Sequence, residues 1–144
     1  MRHYESSVLI EAAPESVWAV LADASRYPDW DSGVTAVDGD IVDGGRITVR
    51  AEVGGGRAFP VLVALDPPRL MVWTGGLPLG LFRGTRTFGL DDAPGGATLV
   101  TMREEYTGPL LGLVWRTMPD LQPSFDRFVN GLKARVEECR PGRQ

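Results

Sequence analysis

Through its middle the chain alternates apolar and polar residues in short runs, and near its end it changes to a helical stripe. Turn signals recur every eight to twelve residues, at Asp43-Gly44-Gly45, Gly54-Gly55-Gly56, Asp66-Pro67-Pro68, Gly75-Gly76 and Pro94-Gly95-Gly96. Such punctuation between β-rich runs predicts an antiparallel meander, with strands over 33–42, 46–53, 57–65, 69–74, 82–90 and 97–106. A further strand is expected over 4–11. After it, Pro14 at a first helical position and Val17, Trp18, Val20 and Leu21 on one face predict a short helix ending near 23. A second helical turn over 25–30, capped by Ser25 and broken before Pro28, follows. Beyond Gly108-Pro109 a helical turn over 110–115 precedes a longer helix, in which Leu121, Phe125, Phe128, Leu132 and Val136 recur at spacings of four, three, four and four.

Alternation also assigns the faces of the sheet. In one strand Ile47, Val49, Ala51 and Val53 share the apolar side, and across the glycine turn Phe59, Val61, Val63 and Leu65 stand in phase with them. In the last two strands the more apolar set is Arg86, Phe88, Leu90, Val100, Met102, Glu104 and Tyr106. That set must face the core, yet it holds two charges. Isolated buried charges are costly and persist when paired or solvated. With a turn of about six residues between the strands, Arg86 and Glu104 fall near-diagonal on one face, within salt-bridge reach. The pair either fixes strand register or lines a polar spot where a ligand anchors.

Composition narrows the classes. At 144 residues the chain is one domain, with the last residues, 139–144, expected to form a flexible tail. No run approaches the ~20 apolar residues of a membrane helix, and the start lacks an apolar signal core, which predicts a cytoplasmic protein. Fourteen of the 15 basic residues are Arg, a bias ascribed to a GC-rich genome. The net charge of −4, with arginines interleaved among 19 acids, disfavours nucleic acid as a partner. One Cys and one His assemble neither a disulfide nor a metal site. Cys139, beside Glu137 and Glu138, sits where carboxylates disfavour a reactive thiolate. His3 reads as a solvated terminal residue. The triple glycine joins two strands with no Gly-Lys-Ser/Thr after it, so it is a hairpin turn and not a phosphate loop. No cofactor is implied, and the expected state is a monomer or homodimer.

Several fragments, in this order, resemble the START/Bet v 1-like (SRPBCC) superfamily and its bacterial polyketide cyclase/dehydrase-like members. They are Ile10-Glu11-Ala12-Ala13-Pro14-Glu15-Ser16-Val17-Trp18, Tyr27-Pro28-Asp29-Trp30 after Asp23, and Gly84-Thr85-Arg86-Thr87-Phe88. Thr98 through Glu104-Glu105-Tyr106-Thr107-Gly108 and Leu132-Lys133 complete the series. The resemblance spans essentially the whole chain. It implies an α+β helix-grip fold, a seven-stranded curved antiparallel sheet wrapped around a long C-terminal helix, with two short helices after the first strand. It also implies a cavity for a hydrophobic ligand between sheet and helix. The inward residues that would line it are Phe59, Val61, Trp73, Arg86, Phe88, Met102, Glu104 and Tyr106 from the sheet, with Leu121, Phe125 and Phe128 from the helix.

Three functions compete. The first is a carrier or sensor of a small hydrophobic molecule such as a lipid, polyketide or aromatic metabolite, motivated by the inferred cavity and the lack of a nucleophile with its base. The second is a cofactor-free cyclase, aromatase or dehydratase using Glu104, Arg86 and Tyr106. A guanidinium as close as Arg86 makes Glu104 a poor base at neutral pH, which favours anchoring over catalysis. The third is a protein-interaction module built on an apolar patch at Leu77, Leu79, Leu81 and Phe82. The segment 75–81 would otherwise lie over the core or gate the cavity.

Overall fold

The computed structural model describes residues 2–138. Seven strands, β1 (Arg2–Ile10), β2 (Val34–Asp38), β3 (Arg46–Ala51), β4 (Ala58–Asp66), β5 (Leu70–Leu77), β6 (Phe82–Ala93) and β7 (Ala97–Thr107), form one sheet. Its order is β1-β7-β6-β5-β4-β3-β2, with every pairing antiparallel. Helix α1 (Pro14–Leu21) and a 3-10 turn (Ala24–Asp29) follow β1, and α2 (Leu111–Thr117) and α3 (Gln122–Glu138) close the chain. This is the helix-grip architecture expected from the resemblance. Cys139 and the expected tail lie outside the described residues.

Helix α3 follows β1 across the concave face because its polar margin is bonded to that strand. Gln122 Nε2 donates to the Glu5 carbonyl at 2.9 Å, Ser6 Oγ donates to Asp126 at 2.7 Å, and Lys133 Nζ donates to the Leu9 carbonyl at 2.8 Å. The apolar stripe of α3 then points at the sheet, where Phe125, Phe128, Leu132 and Val136 are buried. Gly131 permits the tightest approach, since a Cβ there would meet the Asp31 carbonyl at 2.1 Å. Around Phe128 an aromatic cluster fills the closed half of the grip, with Tyr27, Trp30 and Phe88 at ring separations of 5.2–5.6 Å.

Several expectations are corrected. The β6–β7 connection is the three-residue turn Pro94–Gly96, so Arg86 and Glu104 stand directly opposite each other and not diagonally. The second helical turn is 3-10 and contains Pro28, and Ser25 makes no capping bond; Asp23 is the N-cap. Val53 leaves β3 for a 3-10 turn and is exposed, and Phe59, in phase with the core, is still 44% exposed because it lies near the open end of the sheet. β5 continues through Gly75-Gly76 to Leu77, because Gly76 at φ +142 lets the strand pass where a Cβ would meet the Phe82 carbonyl. The segment 75–81 therefore does not fold over the core: its tip residue Leu79 is 96% exposed.

Candidate functional site

The strand register lines up one row across the concave face, Tyr4, Glu104, Arg86, Trp73 and Val63, on β1, β7, β6, β5 and β4 in turn. At its centre Arg86 Nε donates to Glu104 Oε1 at 2.6 Å, with the two side chains 25% and 15% exposed. The guanidinium carbon lies 4.9 Å from the Phe125 ring centroid and 5.9 Å from that of Trp73. The charge is thus held by one carboxylate and two π faces, which stabilise a cation removed from most of its water.

The next row toward the open end is Tyr106, Gly84 and Gly75. Gly84 leaves room for the ion pair: a Cβ there would stand 2.5 Å from Glu104 Oε2. Tyr106 is enclosed by rings. Phe82 stacks on it at 6.0 Å, and Trp115 and Tyr4 meet it edge-on at 5.6 and 6.1 Å. Among the described residues its buried hydroxyl makes no well-formed hydrogen bond, although Glu104 stands close enough to act on it as an acceptor; the Trp73 indole Nε1 has no partner, and neither has Trp30 Nε1 in the closed half. An unsatisfied buried donor costs about 1–3 kcal/mol, so two of them on adjacent rows around one guanidinium require an explanation.

The electrostatics keep the phenol protonated. Burial pushes the Tyr106 pKa well above the ordinary tyrosine value, the Glu104 charge and a weaker hydrogen-bonding interaction with the same carboxylate add to that, and Arg86 opposes it. Tyr27, also within the field of Arg86, is raised chiefly by burial, and its hydroxyl donates to the Leu21 carbonyl. The site therefore offers donors: a fixed guanidinium, a phenol O–H and an indole N–H. Its acceptor, Glu104, is already engaged by Arg86.

The residues expected from sequence divide into two groups. Trp73, Phe88, Met102, Tyr106, Phe125 and Phe128 are at most 3% exposed, whereas Arg86, Glu104, Val61 and Leu121 are half-buried and Phe59 is exposed. The first group except Tyr106 belongs to the packed core; the second lies toward the open end. Tyr4, Trp115 and Gly84 were missed. An interior glycine in a strand is a legible sign of close approach, but nothing in the spacing placed Trp115 of α2 against Tyr4, where it stacks at 5.3 Å. On the outer face a separate cleft of about 370 Å³ is lined by Arg46, Leu62, Thr74 and Arg83, reaching Leu77 and Phe82 at the sheet's end.

The model of a family described as polyketide cyclase / dehydrase and lipid transport matches residues 1–137. Among solved structures, an aromatase/cyclase, Zhui, from Streptomyces sp. R1128 superposes with a TM-score of 0.74 at 16% identity, covering 97% of this chain and 96% of its own. A START superfamily protein from Mycobacterium smegmatis gives 0.66 at 15%, covering 96% and 99%. The di-domain ARO/CYC BexL of the BE-7585A biosynthetic pathway gives 0.69 at 20%; 95% of this chain matches 47% of that one. At these identities the likeness is one of fold. No curated protein sequence matches the chain significantly.

Proposed function

Because the chain belongs to the polyketide cyclase / dehydrase and lipid transport family, we propose that it is a carrier or sensor whose concave face holds a small hydrophobic molecule bearing oxygen acceptors. The observation that carries this reading is the pair of buried donors that make no well-formed hydrogen bond, Tyr106 Oη and Trp73 Nε1, flanking the Arg86–Glu104 ion pair. A plain hydrocarbon would leave both donors unsatisfied. A ketone, quinone or phenol oxygen would accept from them while its rings pack on Phe125 and Trp115. Glu104 acts as the anchor of Arg86, holding the guanidinium toward the ligand without acting as a base.

The test is a thermal-shift comparison of matched ligands, a fused-ring aromatic ketone against the hydrocarbon of the same size. Stabilisation by the ketone alone is expected; equal stabilisation by both, or by neither, contradicts the reading. A phenol held protonated beside a guanidinium also favours a second reading, cyclisation and dehydration of a polyketone, in which both groups stabilise the developing oxyanion. Turnover of a poly-β-ketone mimic that Tyr106→Phe abolishes would support it, and turnover unchanged in that variant would refute it.

A further inference from the structure

We propose that the open end of the sheet, formed by the β3–β4 turn, the β5–β6 turn and helix α2, docks on the surface of an anionic phospholipid bilayer. The antiparallel register brings the two turns to one end, and the Leu110 N–H, donating to the Leu81 carbonyl at 2.9 Å, fixes α2 beside them. Among the described residues, six of the eleven exposed large apolar ones gather there: Val53, Phe59, Leu77, Leu79, Leu81 and Leu113. Leu79 is the extreme case. It is 96% exposed and sits at φ +61, a left-handed conformation in which a side-chain-bearing residue is strained. A fully solvated leucine on a strained turn contributes nothing to this fold.

Charge identifies the occupant. The protein is acidic overall, yet Arg57, Arg83 and Arg116 at this end are exposed and make no ion pair among the described residues, and Arg2 rests on the Trp115 ring at 5.0 Å. Of the nearby acids, Glu52 is paired with Arg127 and Glu105 with Arg103, while Asp120 accepts the Gln122 N–H and keeps its charge, leaving the arginines in excess. Leu79 and Leu113 are exposed on separate elements, the β5–β6 turn and α2, and Arg83 and Arg116 follow them on β6 and α2. That is the arrangement of an interfacial anchor, in which apolar tips enter the acyl boundary and guanidinium groups stay at the level of anionic headgroups. The outer cleft of about 370 Å³ behind the β5–β6 turn adds Arg46 and Arg83 over an apolar floor that includes Leu62, a place for one headgroup phosphate.

Flotation with phosphatidylcholine vesicles, with and without phosphatidylglycerol, tests the proposal. Wild type is expected to float with the anionic vesicles only, and less at high salt. Leu79→Asp should lower binding by about tenfold or more, and Arg83→Gln by about fivefold. Leu99→Asp, at a leucine 39% exposed at the opposite end of the sheet, should change nothing. Failure of wild type to distinguish the two vesicles would overturn the proposal. So would equal effects of Leu79→Asp and Leu99→Asp, or full competition by free glycerol phosphate, which would mark a soluble-phosphate site. Tyr106→Phe should leave flotation unchanged, so the interior ligand reading and the docking surface stand or fall separately.

Discussion

Removing a single oxygen, in Tyr106→Phe, should move stability and binding in opposite directions. The hydroxyl is buried in a residue 2% exposed, it makes no well-formed hydrogen bond, and the three aromatic contacts of the ring survive the change or lose little. An unpaired buried hydroxyl costs about 1–3 kcal/mol. The void left by one oxygen returns part of that, so a net gain of about 1 kcal/mol is expected, or about 3 °C in melting temperature for a chain of this size. Urea denaturation with unchanged slope measures it. The same variant should bind the aromatic ketone about tenfold more weakly, the worth of one hydrogen bond made inside a dry site. A loss of more than about 1 kcal/mol in stability would mean that the hydroxyl has a protein partner, Glu104 being the nearest candidate, and the argument from orphaned donors would collapse.

The ion pair gives a second test. Glu104→Ala, which strands the guanidinium, should destabilise by about 2–3 kcal/mol, less than a fully buried pair because both side chains keep some water. The double variant Arg86→Met/Glu104→Leu should recover to within about 1 kcal/mol of wild type while losing ligand binding, a coupling that denaturation of all four proteins reads directly. Gly84→Ala should push the Glu104 carboxylate from its place over β6 and weaken ketone binding more than it lowers melting temperature. With pH, the phenols of Tyr27 and Tyr106 keep their protons in the folded state where the unfolded chain loses them. Their contribution is therefore constant below about pH 10 and falls above it, by about 1.4 kcal/mol per pH unit for each phenol; near-ultraviolet phenolate absorbance should appear for both only together with unfolding.

The fold was readable because each strand of the meander is bounded by a local signal, and because the stripe from Leu121 to Val136 has an unmistakable period. The inward position of Arg86 and Glu104 followed from alternation alone, since a period of two admits no intermediate answer. Their exact pairing did not, because it depends on turn length, and the segment 91–97 has acids and Ala93 that extend the strands further than hydropathy suggests. Trp73 lies in a stretch apolar on both sides, where alternation assigns no face; only its register opposite Arg86 sets it inward. Long-range contacts escaped for a different reason. Trp115 against Tyr4 and Gly131 against the Asp31 carbonyl join segments more than ninety residues apart, and nothing local encodes which ring or carbonyl will arrive. The same is true of Leu79, whose exposure depends on where β5 stops.

In the proposed function the Trp73 indole N–H and the Tyr106 hydroxyl await a ligand oxygen. The most direct measurement is the proton–nitrogen correlation spectrum of the indole groups, with Trp73 assigned through Trp73→Phe, during titration with the aromatic ketone. A downfield shift of the Trp73 N–H proton is expected on binding, absent with the matched hydrocarbon. Saturable ketone binding that leaves the Trp73 N–H unmoved would contradict it.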